Sequence, residues 1–212
     1  MNVTFTKRLK KMLGPTTLIM LAAALMACQE EEAARRPGPS EPTPTLTEYG
    51  DFQCSYCAAF ALLIMPEIKT EFLDTGLMRF EYKHLPILGP GSWAAANAAE
   101  CAREQDAFDE YHDSLYTNAA HGTLSTDLQG LMAITEDTQL DQEDFEDCLR
   151  DQRHQATVEA DRDEARRIGA RGTPTLAVDG HIIEWTSYRN LKTQLNEWVE
   201  HYNSQARKGS GA

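Results

Sequence analysis

Cys54 and Cys57 stand three residues apart in the run Gln53-Cys54-Ser55-Tyr56-Cys57. Two thiols at this spacing, where a helix begins directly after a strand, can trade electrons with other thiols. The unpaired N–H groups and positive end of the helix favour a thiolate on the first sulfur. The second sulfur lies one turn on, where it can attack a mixed disulfide on the first. Cys54 therefore reads as the nucleophile and Cys57 as the resolving thiol. Half of a zinc site and an inert structural disulfide are the alternatives. No second pair or Cys/His cluster has matching spacing, so no metal and no other cofactor is expected. A helix opening is also a poor place for an inert bridge.

The surrounding periodicity supplies the elements that must hold the pair. Residues 45–52 (TLTEYGDF) read as a buried strand, and a helix runs from Cys54 towards Thr70 with a kink at Pro66. Residues 77–87 alternate apolar and polar, which predicts a second strand. The period then changes to 3.6: Phe108, Tyr111, His112 and Leu115 follow i, i+3, i+4, i+7. This predicts an insertion of three or four helices over about 91–150, with Ser125 and Asp141 as N-caps. A long helix should run from about Asp151 to Ile168 and stop at Gly169. Asp179-Gly180 marks a two-residue hairpin turn, and Ser187 caps a last helix. A βαβ unit followed by ββα, with helices between the halves, is an α/β thioredoxin fold with a helical insertion.

The N-terminus reads as an address. Lys7, Arg8, Lys10 and Lys11 precede an apolar run, Met12 to Leu25, too short to span a membrane. The run ends in Leu25-Met26-Ala27-Cys28, which resembles a bacterial lipobox. The expected organisation is a signal peptide over 1–27, then lipidated Cys28 and a disordered Pro/Glu-rich tether over 28–44. A thioredoxin-like domain follows over 45–204, and a flexible tail over 205–212. An ordinary signal peptide cut nearby, leaving Cys28 free, is the alternative.

Composition excludes other classes. The 212 residues carry 20 Lys+Arg against 33 Asp+Glu, a net charge of −13. That balance argues against a nucleic-acid binder, which needs a basic face. A mean hydropathy of −0.48 excludes a polytopic membrane protein.

Three segments together carry a resemblance. Glu48-Tyr49-Gly50-Asp51-Phe52-Gln53-Cys54-Ser55-Tyr56-Cys57, then Tyr111-His112-Asp113 in the helical insert, then Arg171-Gly172-Thr173-Pro174-Thr175-Leu176-Ala177-Val178-Asp179-Gly180, resemble the DsbA-like thiol:disulfide oxidoreductases. The likeness covers about residues 45–204. It implies a cis peptide before Pro174, packed beside the C-x-x-C, with Thr173 offering backbone hydrogen bonds to substrate. It also places on Glu48 the family's acidic residue, six positions before the first Cys, where a buried carboxylate relays a proton to or from Cys57. Glu48 as a surface strand-end residue, with Asp51 as the charged neighbour, is the other reading. The implied enzyme sits on the extracytoplasmic face of a bacterial membrane, in the periplasm or at the cell surface, held by its lipid. It donates the Cys54–Cys57 disulfide to reduced exported proteins, and a membrane quinone-linked thiol oxidase recycles it. A reductase or isomerase on the same fold, or a non-redox lipoprotein binding module, are the alternatives. Ser55-Tyr56 departs from the Pro-His of the most oxidising members and implies a milder oxidant. With Cys28 lipidated, an even number of cysteines remains, which favours a Cys101–Cys148 disulfide; two buried thiols in a helix interface are the alternative.

Overall fold

The computed structural model describes residues 43–209; Cys28, the signal peptide and nearly all of the tether lie outside the described residues. Strand β1 (Thr45–Gly50) leads through a tight turn into helix α1 (55–73), then β2 (Arg79–His84). Four helices follow: α2 (Pro90–Arg103), α3 (Phe108–His121), α4 (Leu128–Ala133) and α5 (Gln142–Asp151). Then come α6 (Gln155–Ile168), β3 (Thr175–Val178), β4 (His181–Ile182) and α7 (Tyr188–Gly209).

The sheet order is β2-β1-β3-β4, with β1 parallel to β2 and antiparallel to β3. β1 is thus central, and five of its six residues are buried. Side chains alternate across the sheet. Leu46 joins Leu176 and Val178 in a core with Phe60, Ile68 and Phe72 of α1 and Leu191 and Leu195 of α7. Tyr49 and Ala177 pack on the opposite face against Ala165 of α6. The insertion has its own core, which reaches into the sheet at Tyr82 and into the start of α1 at Cys54, Cys57 and Ala58.

Helix α1 runs through Pro66 with π turns on either side, at Phe60–Ile64 and Lys69–Leu73, and Met65 N–H bonds the Phe60 carbonyl five residues back. A proline removes one N–H and crowds the preceding turn, and a wider turn absorbs both effects. The N-cap of α4 is Asp127, whose Oδ1 accepts Gly130 N–H at 2.7 Å, rather than Ser125. Ser125 lies under Gly130, where a Cβ would meet the Ser125 Cβ at 2.4 Å. Asp141 caps α5, accepting Glu143 and Asp144 N–H groups.

The helix expected from Asp151 is broken at Gln152, whose φ of 49° is left-handed. Arg153 N–H returns to the Cys148 carbonyl, and Asn97 Oδ1 takes the His154 N–H at 3.0 Å, so α6 starts at Gln155. Gly169, with φ 93°, ends α6, and Ala170 N–H reaches back to the Ala165 carbonyl. Asp179 and Gly180 both have positive φ, as a primed hairpin turn requires. Ser187 Oγ accepts Asn190 N–H at the start of α7. α7 continues helical to Gly209, past the 204 boundary expected for the domain. No breaker stands between Ser204 and Lys208, and Arg207 and Lys208 complement the negative helix end.

Cys101 of α2 and Cys148 of α5 form a disulfide across 47 residues of chain. Closing a loop of that size stabilises by about 4 kcal/mol in the chain-entropy model. A Cys101→Ala/Cys148→Ala protein should lose stability of that order in urea unfolding. An unchanged midpoint would mean that packing alone joins α2 to α5.

Candidate active site

The turn before α1 is built by Asp51. Its carbonyl accepts Cys54 N–H at 2.9 Å, and its Oδ1 accepts Gln53 N–H at 2.9 Å. Its Oδ2 accepts Ile87 and Leu88 N–H groups at 2.9 and 3.1 Å, which fixes the loop after β2. Asp51 is thereby spent on backbone donors, a role the sequence did not disclose.

The turn leaves Cys54 as the N-cap of α1. Its Sγ accepts Cys57 N–H at 3.4 Å and donates to the Thr173 carbonyl at 3.4 Å. The Thr173–Pro174 peptide is cis. Cys54, Cys57, Thr173 and Pro174, separated by more than a hundred residues, therefore meet at one place. Both thiols are free, and Cys57 is fully buried. Burial pushes the Cys57 thiol far up, against some relief from hydrogen bonding to Asp51, and the nearby Glu48 and Cys54 add to the rise.

Glu48 is 1% exposed, and its Oε1 makes no hydrogen bond. It is an interior carboxyl, not a strand-end residue at the surface. Burial, reinforced by charge on Cys54, raises its pKa to about 8. A buried carboxyl near neutrality can both hold and release a proton.

Beside the cis peptide lies a groove of about 450 Å³ lined by Tyr56, Phe60, Thr173, Pro174, Ile183 and Trp185, among others. Tyr56 is 77% exposed at its edge. A larger cavity, about 650 Å³, lies in the insertion around Trp93, Leu131 and Val158 and includes neither cysteine. Trp185 thus lines the groove and Trp93 the cavity. His112, buried on α3, bonds Asp113 at 2.9 Å and packs among Phe52, Tyr82 and Tyr116. Among the described residues, one trio of metal-ligating type is close enough to share an ion: Cys101, Cys148 and His154. Two of its sulfurs are bonded to each other, and a disulfide offers no thiolate to a metal.

A helix-capping dithiol facing a cis-proline loop on this sheet defines the class. A family model described as Thioredoxin matches residues 30–197, and the chain belongs to the thioredoxin family. Within it, the chain resembles proteins of disulfide formation. It is 26% identical over 165 residues to disulfide bond formation protein D of Bacillus subtilis, covering 76% of this chain and 74% of that protein. The crystal structure of oxidised BdbD from Bacillus subtilis superposes with a TM-score of 0.70 at 24% identity, over 78% of this chain and 91% of that one. Chlamydia trachomatis DsbA gives 0.66 at 22%, over 78% and 90%. The chain is also 37% identical over 145 residues to a protein named Na(+)/H(+) antiporter NhaA 1 of Salinispora arenicola. That match takes in 68% of this chain but only 21% of the antiporter's length.

The raised carboxyl has a measurable consequence. Between the ordinary value near 4.5 and about 8, the folded protein keeps the Glu48 proton and the unfolded chain loses it. Stability therefore falls as pH rises through that window. Glu48→Gln should flatten the pH profile of urea stability there by on the order of a few kcal/mol. A wild-type slope in the variant would remove Glu48 as its source.

Proposed function

We propose that the protein is an extracytoplasmic thiol:disulfide oxidoreductase that donates the Cys54–Cys57 disulfide to reduced exported proteins. The observation that carries this reading is the asymmetry of the two sulfurs. Cys54 sits at a helix N-terminus beside the cis-proline loop and the groove, while Cys57 is sealed next to an interior carboxyl.

The steps follow from that asymmetry. A client thiolate attacks Cys54 Sγ of the oxidised pair. The Cys54–Cys57 bond breaks, and its electron pair leaves on Cys57. A bare thiolate is costly in that interior, so Glu48 supplies a proton and Cys57 becomes a thiol. The client's second thiolate then attacks its own sulfur in the mixed disulfide. Cys54 departs as a thiolate at the helix N-terminus, and the client leaves oxidised. Solvent returns the proton to Glu48. The Thr173 backbone and the groove hold the client chain during the exchange. Lipidation at Cys28 anchors the enzyme through the tether, and a membrane quinone-linked thiol oxidase restores the disulfide. Support for this setting comes from the basic residues Lys7 to Lys11, the apolar run after them and Cys28, and from the resemblance to disulfide bond formation protein D.

Oxidised protein should convert a reduced dithiol peptide to its disulfide stoichiometrically, Cys54→Ser should abolish the reaction, and Cys57→Ser should hold clients at Cys54. The reduction potential sets the direction: about −120 to −180 mV fits a donor, whereas about −270 mV assigns the protein to reduction instead. Full turnover by Cys54→Ser would overturn the assignment of the nucleophile.

A further inference from the structure

Two tyrosines outside the exchange scheme are buried on the side of the sheet that carries Glu48. The parallel register sets Glu48 against Tyr82, so their side chains leave the sheet on one face. The Tyr82 hydroxyl meets the Tyr116 hydroxyl, brought from α3, at 2.9 Å. Gly50 follows Glu48 by two residues on the same face of β1. A Cβ there would lie 2.6 Å from the Tyr82 hydroxyl and 2.7 Å from the Tyr116 hydroxyl. The absent side chain at position 50 is thus the space that the hydroxyl pair fills, one step along the strand from Glu48. Glu48, Tyr82 and Tyr116 are all buried, and Glu48 Oε1 lacks a hydrogen-bond partner.

The hydrogen count leaves something over. Two hydroxyls bring two protons, and the bond between them uses one. The other O–H is available to a third group. We propose that Tyr82 and Tyr116 are positioning residues for the proton transfer: their remaining O–H donates to the Glu48 carboxylate once Glu48 has protonated Cys57. No electron moves in this step. The proton passes from the Glu48 carboxyl to Cys57 Sγ, and the negative charge passes to Glu48, where the hydroxyl meets it. The proposal rests on the reading of Glu48 as the proton donor.

The neighbours leave the pair free for this role. Burial above all, helped by Glu48 itself, pushes both phenols well above their usual range, so they remain donors. From α1, Cys54 and Cys57 bear on Glu48. The Asp51 carboxylate, just beyond β1, is spent on three N–H groups. His84 of β2 packs on Tyr82 and bonds Glu100 at 2.8 Å; His112 of α3 packs on both tyrosine rings and bonds Asp113. β3 presents Leu176 at this register.

The test is the pH profile of single-turnover oxidation of a dithiol peptide by the oxidised full chain. Tyr82→Phe, Tyr116→Phe and the double variant are compared with Glu48→Gln and with Tyr111→Phe, a buried control whose hydroxyl bonds the Leu131 carbonyl. Glu48→Gln should erase the limb of the profile that reports Glu48. The double tyrosine variant should move the midpoint of that limb up by about one to two pH units, the size of a lost hydrogen bond to a charged group. The single variants should move it less, and Tyr111→Phe should leave it in place. If Glu48→Gln erases the limb but the tyrosine variants leave its midpoint unmoved, the tyrosine proposal fails and the Glu48 reading stands. A limb that survives Glu48→Gln overturns both. Should the double variant not fold, the single variants carry the test, and a midpoint unmoved in both overturns the proposal.

Discussion

A charge inside this pocket has nowhere to go. Cys57 and Glu48 are shut away from water, and an unpaired ion in such an interior costs several kcal/mol. Burial therefore holds both in their neutral forms and pushes both pKa values up. One helical turn away, Cys54 occupies the place where a helix welcomes an anion. Negative charge released by a broken disulfide thus meets two unlike sulfurs on a single helix. The exchange scheme rests on that contrast, and the rest of the fold maintains it.

The helical insertion supplies the seal. Phe108, His112 and Tyr116 fold over Phe52 and Tyr82, so the ends of β1 and β2 are closed by an aromatic cluster. The Cys101–Cys148 disulfide ties α2 to α5, and Asp51 pins the loop that leads into α2. On the opposite face of the sheet, Glu164 takes hydrogen bonds from Tyr49 at 2.7 Å and Lys83 at 2.6 Å, fastening α6 beneath β1 and β2. The site is thus held from both faces, and the insertion is part of its wall.

Much of this was legible in the sequence where chemistry is local. The C-x-x-C at a strand-to-helix switch, the Asp179-Gly180 turn and the stop at Gly169 each follow from short-range rules, and the elements lie where those rules put them. The fold class followed from the order of the periods. Features set by distant partners were not legible. Gln152 is left-handed at a bend where Asn97, 57 residues away from His154 in sequence, takes the His154 N–H, and glutamine carries no signal for that conformation. Asp51 looks like an ordinary turn residue until the loop at 87–88 arrives on it. Tyr82 and Tyr116 read as core, which they are. Only the register against Glu48 and the vacancy at Gly50 distinguish them from other buried rings.

The Thr173 carbonyl connects this buried chemistry to the surface. Two hydrogen bonds converge on the Cys54 sulfur: one accepted from Cys57 N–H, one donated to Thr173 O. The donated bond exists only while Cys54 carries a proton, whereas the accepted one survives in the thiolate. In the oxidised pair and in the proposed mixed disulfide the S–H is gone, so the carbonyl is without that donor when a client chain enters the groove. A partly buried carbonyl without a donor is unfavourable, and the backbone N–H of an extended client is a fitting replacement. Client binding and the bonding state of the Cys54 sulfur then meet at one backbone atom. Ser55 and Tyr56 are both exposed, and Tyr56 lines the groove, so this dipeptide lies outside the interior around Cys57.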